Sequence, residues 1–176
     1  MYNNWTLDLS DSIKAIEKIK HTVLPKLISG DIISIEQQDN EILLMFDRYS
    51  GIDYIRKDNT GLQGIASRVQ FGKNWDTFTI RAQRHSGSKT EYQKRLEQIE
   101  NGYFYPYFTM QAYFDNRENM NLLSICVIKT IDLYYEIENN PNVSQKQSDN
   151  IFYFIKWSDI PKNKIKLYAN TITKKE

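Results

Sequence analysis

The spacing of apolar residues changes period several times along the chain, and each change predicts an element. Ile13, Ile16, Ile19, Val23, Leu24 and Leu27 recur at helical spacing, with lysines and Glu17 opposite them. Ser10 is the expected N-cap, with Asp11 in the first turn, and residues 1–10 form an arm whose Trp5 and Leu7 can dock. Pro25 should end or kink this helix near Val23, and Gly30 breaks the segment. Ile32, Ile33 and Ile35 suit a short strand, and the run Glu41 to Asp47 predicts a buried helix over 39–48. Gly51 to Phe71 then reads as two short strands around a tight turn. Ile52, Tyr54 and Ile55 fit a pleated strand, and Lys57-Asp58-Asn59-Thr60-Gly61 is turn chemistry. In the second strand Ile65, Ser67 and Val69 point one way, and Ala66, Arg68 and Gln70 the other.

Beyond this hairpin, Gly72 to Trp75 is a turn. Phe78 and Ile80 alternate with Thr79 and Arg81, which predicts a third strand of the same sheet over 76–84. A basic loop from His85 to Lys89 leads into a helix capped by Ser88 or Thr90, with Glu91 in its first turn and an end at Asn101-Gly102. Pro106 to Phe114 alternates as a strand, Leu122 to Ile128 is a continuous apolar strand, and Thr130 caps a short helix through Glu138. Asn139 to Asn150 reads as a surface loop, Ile151 to Trp157 as a strand, and Lys164 to Ala169 as an edge strand before a frayed tail at 173–176. The result is one α+β domain over 1–176, a mixed central sheet flanked by helices: a helical arm (1–30), a core (31–115) and a strand-helix extension (116–176).

Composition narrows the chemistry. With 176 residues, 40% hydrophobic and 26% charged, the chain is an ordinary globular one, long enough for a single core. A net charge of +1 gives no bulk attraction for polyanions, so a nucleic acid would need locally clustered cations. The single cysteine, Cys126, lies in an apolar run, which excludes an intramolecular disulfide framework and cysteine-based zinc sites. There is no long apolar run and no signal-like amino terminus, so a cytoplasmic protein is expected. Neither Ser86 nor Cys126 has a base-and-orienter arrangement, and there is no phosphate-cradling glycine loop.

One residue breaks the pattern. Asp53 sits in an apolar Gly-Ile-Asp-Tyr-Ile frame, where a half-buried carboxylate is costly unless paired, hydrogen-bonded or on a metal. The Gly-Ile-Asp strand, turn and second strand resemble the core hairpin of the PD-(D/E)XK nuclease superfamily, the restriction-endonuclease-like fold. So does the order helix, three strands, helix, strand. The resemblance covers roughly residues 31 to 115. It implies a metal-dependent DNA nuclease or a nuclease-derived DNA-processing protein, with Mg²⁺ or Mn²⁺ activating water against a phosphodiester. It implies Asp53 as a metal ligand, with a second acid from Asp47 or Glu91, and Arg68 in place of the family's lysine. The Glu-x-Lys triplet falls on Ala66-Ser67-Arg68, so the family's second acid is missing. Gln63, a substitute for it, lies on the other face by alternation.

The residues themselves leave alternatives open. Asp53 either holds a cation with help from Asp47, Glu41, Asp76 or Glu91, or bonds the turn backbone, or pairs with Arg68 or Arg81. Arg68, Gln70, Arg81, Gln83 and Arg84, with His85, Lys89, Lys94 and Arg95 beyond, either contact DNA phosphates or form a solvated face. The rival to a nuclease is a non-catalytic protein of this fold that binds nucleic acid or a protein partner.

Overall fold

The computed structural model describes residues 4–35, 40–147 and 150–170. The first helix, α1, runs Asn4–Lys20, so Ser10 lies inside it rather than capping it. Its Ser12 hydroxyl donates back to the Asp8 carbonyl (2.7 Å), as interior helical serines do. The expected docking of the Trp5 and Leu7 side chains, like the tail, lies outside the described residues. Pro25 acts as anticipated: α1 stops, and a single turn, α2 (Leu24–Leu27), restarts with proline in its first turn.

Strand β1 (Asp31–Ser34) precedes α3 (Glu41–Ser50), which is capped by the Asn40 side chain and closed by Gly51 at φ 61°. The hairpin follows as β2 (Tyr54–Asp58) and β3 (Gly61–Phe71), paired antiparallel with Tyr54 opposite Ile65. Next come β4 (Thr77–Gln83), α4 (Glu91–Glu100), β5 (Pro106–Phe114), β6 (Leu122–Lys129) and α5 (Thr130–Asn139). The chain ends with β7 (Ser144–Gln147), β8 (Ile151–Lys156), a 3₁₀ turn (Trp157–Asp159) and β9 (Ile165–Ala169).

The main sheet is mixed, six strands in the order β1-β2-β3-β5-β6-β9, with β3 and β5 parallel. A parallel pair needs a long crossover, and here it carries β4 and α4 over one face of the sheet. Strand β4 therefore does not extend the hairpin sheet, as alternation alone suggested. It pairs antiparallel with β8 in a second sheet, β4-β8-β7. Part of the expected 139–150 loop is also strand, since Ser144 to Gln147 pairs with β8.

Of three apolar clusters among the described residues, a small one joins Ile35, Ile52 and Ile55 to Leu43 and Phe46 of α3, and the other two lie on the two faces of the main sheet. On one, Ala15, Ile16 and Ile19 of α1 pack on Tyr54, Ile65, Ala112 and Ile125. On the other, Tyr113, Cys126 and Ile128 meet Leu133 and Ile137 of α5, Phe78 and Ile155 from the small sheet, and Trp157 of the 3₁₀ turn. No helix among the described residues is long and apolar enough to cross a membrane.

Candidate functional site

The crossover face leaves one deep cleft of about 660 Å³. Its floor is polar because the parallel register sets Ala66 beside Thr109 and Arg68 beside Gln111. Gln70 lies beside Tyr113 one step further on. Asp53, just before β2, sits at the floor next to Ala66: its amide donates to the Ile65 carbonyl (2.9 Å), and its Oδ2 accepts the Ser67 N–H. Asp53 and Arg68 thus line the same cleft, as alternation requires. The walls are Asp47 and Arg48 of α3, Thr79 and Arg81 of β4, Arg84, and Glu91, Lys94 and Arg95 of α4.

Helix α4 is anchored so that its charged face looks into this space. Thr90 and Gln93 cap it reciprocally, and Thr90 is fully buried. Glu91, Lys94 and Arg95 then share one face at i, i+3 and i+4. Lys94 donates to the Arg48 carbonyl (3.0 Å) and Arg95 Nη2 to the Gly51 carbonyl (2.7 Å), which ties α4 to the end of α3. Arg84 pairs with Glu91 at 2.6 Å. Arg68 and Arg81 both lie over the Phe152 ring of β8, at 6.0 and 5.4 Å from its centroid.

Electrostatics single out Asp53. Burial, helped by Asp47, pushes its carboxyl up to about 6 against the pull of Arg95 and the Ser67 amide. Burial also raises Asp47, against the pull of Lys94, with Glu91 adding to the rise. Burial raises Glu91 as well, but its own backbone N–H and Arg84 more than offset this and hold it low. Arg68 is shifted down by burial and by Arg81. The cation that acts most strongly on Asp53 is therefore Arg95, not Arg68 or Arg81.

The cleft gathers most of the expected site residues: Asp47, Asp53, Arg68, Arg81, Arg84, Glu91 and Lys94. Others fall elsewhere. His85 and Lys89 are exposed beyond the rim, and Lys89 pairs with Glu97 at 2.6 Å. Gln70 lines a neighbouring hollow, and Gln63 bonds Arg56 on the opposite side of the sheet. Asp76 accepts from Ser124 (2.9 Å), and Glu41 is exposed at the start of α3. The sequence reading missed Gln111, whose Oε1 accepts from the Thr79 amide (2.8 Å) and whose Nε2 donates to Gln70 (3.2 Å) and Tyr113 (2.8 Å). Its signal was available: a lone amide in the aromatic run Tyr107 to Phe114.

Among the described residues no group of three His, Cys, Asp or Glu side chains is disposed to hold a metal ion. What the cleft does hold is six cationic side chains against three acids. Arg81 and Arg84 each have a buried Nε without a hydrogen-bond partner, and the Arg95 guanidinium meets the Tyr134 hydroxyl. No protein-family model matches the chain, and no curated protein or solved structure matches it.

Proposed function

We propose that this cleft binds the phosphodiester backbone of a nucleic acid, DNA foremost, on a nuclease-like scaffold. One observation carries the reading: six cationic side chains against three acids line one cleft. An excess of cations favours a polyanion, and phosphate oxygens are the acceptors that guanidinium forks suit best. The hairpin keeps part of the expected arrangement, with Asp53 beside Ala66 and Ser67 and with α4 and β5 following, but α3 stands between β1 and β2, and β4, the expected third strand, joins the other sheet.

A resident Mg²⁺ or Mn²⁺, which that resemblance implies, does not fit the donor set. Asp53 is engaged by the Ser67 amide, Glu91 by Arg84, and Ala66 supplies no oxygen. Hard cations take about six oxygen ligands. The chain's own groups are suited to hold and orient a strand. Cleavage is the second reading, favoured by the half-buried Asp53 with Asp47 close enough to raise it. Fluorescence anisotropy with labelled single- and double-stranded oligonucleotides, with and without Mg²⁺, separates the two. Binding without metal and an intact oligonucleotide supports the first reading, and Mg²⁺-dependent fragments support the second. Absence of binding at low salt would refute both and leave a protein partner.

A further inference from the structure

Strand β3 leaves the cleft at Arg68 and, two residues on, brings Gln70 to a second hollow at the end of the sheet, where Val69 and Phe71 of the α1 face, Asp8 and Ser12 of α1, Lys73, Trp75 and Arg117 meet it. Arg68 and Gln70 are about 7 Å apart along the strand. Gln111 links the two spaces: it lines the cleft and donates to Gln70 Oε1, which leaves the Gln70 amide N–H₂ as the free donor end. Arg117 is already taken by Asp8 (2.5 Å) and Asp11 (2.9 Å), so Lys73 is the cation the hollow offers.

Trp75 is the unusual member. It is 58% exposed, yet the turn that carries it is fixed from beneath. The buried Ser124 hydroxyl reaches both Asn74 (3.1 Å) and Asp76 (2.9 Å), and the Asp76 amide donates to Asn74 Oδ1 (3.1 Å). The Trp157 amide donates to the Asp76 carbonyl (2.8 Å). Asp76 itself holds φ 47°, in the left-handed region that Asp enters more readily than most non-glycine residues. An indole exposed on a fixed turn, with Lys73 Nζ over one face 3.9 Å from its ring centroid, has its other face to offer for stacking.

We propose that Trp75 stacks with an unpaired base, and that the ligand of the cleft is single-stranded nucleic acid. The inference rests on the cleft reading. Phosphates sit among the cleft arginines while the strand follows β3 to Trp75, the combination of cationic groove and aromatic platform that single-strand binders use. Duplex bases are already stacked on one another and have no face to give.

The test compares wild type, Trp75→Ala, Trp75→Phe and Arg81→Ala with an unstructured oligothymidine and a duplex of the same length. Trp75→Ala should weaken single-strand binding about ten- to a hundredfold, and Trp75→Phe should restore most of it. Duplex binding should be weaker in wild type and unmoved by either change, and the melting temperature should hold, since Trp75 is exposed. Equal affinity for both ligands, or Trp75→Ala binding like wild type while Arg81→Ala binds less, would overturn the stacking inference and spare the cleft. Loss of all binding in wild type would remove both.

Discussion

Arg95 donates to the carbonyl of Gly51 at 2.7 Å, so that helix α4 holds the end of helix α3 two residues before the half-buried Asp53. Gly51 has φ 61°, and a Cβ there would lie 3.0 Å from Arg95 Nη2. Gly51→Ala should therefore cost about 1–2 kcal/mol from the left-handed backbone, and more if the guanidinium is displaced. Arg95→Ala should cost about 1–3 kcal/mol by unlinking the helices. Urea midpoints should fall in both variants with the slope unchanged.

The pH dependence of stability follows from Asp53. Its folded carboxyl sits at about 6, against 3.8 ordinarily, because burial disfavours the charge. Between those values the native state keeps a proton that the unfolded chain has lost, so stability from this group is complete below about pH 4 and is lost as pH rises through 6. About two pKa units correspond to about 3 kcal/mol. Asp53→Asn should match wild type at pH 4 and exceed it by up to roughly 2 kcal/mol at pH 8, measured by urea denaturation at both. A variant weaker than wild type at pH 8 would mean that Arg95 and the Ser67 amide hold the ionised carboxylate more strongly than burial penalises it.

Gly64 is a third checkable position. It lies where the β3–β5 register shifts, and a Cβ there would meet Ile52 at 2.8 Å and the Pro106 Cα at 3.1 Å. Since a backbone atom cannot swing aside, Gly64→Ala should destabilise by about 1–3 kcal/mol, read as a lower thermal midpoint.

Features fixed by neighbouring residues were legible in the sequence, and those fixed by distant packing were not. The hairpin was legible because Lys57 to Gly61 is turn chemistry and β3 alternates. Helix α4 was legible because Thr90 can cap it. The sheet that β4 joins was not, since alternation marks a strand but not its partner, and β8 lies some seventy residues later. Asp53 declared itself by its apolar neighbours. Its cation did not, because Arg95 reaches it only through the packing of α4 on α3. Ser10 misled for a related reason: a capping residue type marks a helix start only when the backbone before it is not helical, and here the helix begins at Asn4.

The cationic cleft is tested most directly by the salt dependence of oligonucleotide binding. If about four cleft cations each meet a phosphate, the affinity for a single strand should fall with a log–log slope of about −3. Arg81→Ala should weaken binding and flatten that slope by about 0.7, one contact's worth. Lys89→Ala, which removes a cation paired with Glu97 beyond the rim, should leave both unchanged. Binding that ignores salt, or an Arg81→Ala variant indistinguishable from Lys89→Ala, would contradict a phosphate-binding cleft.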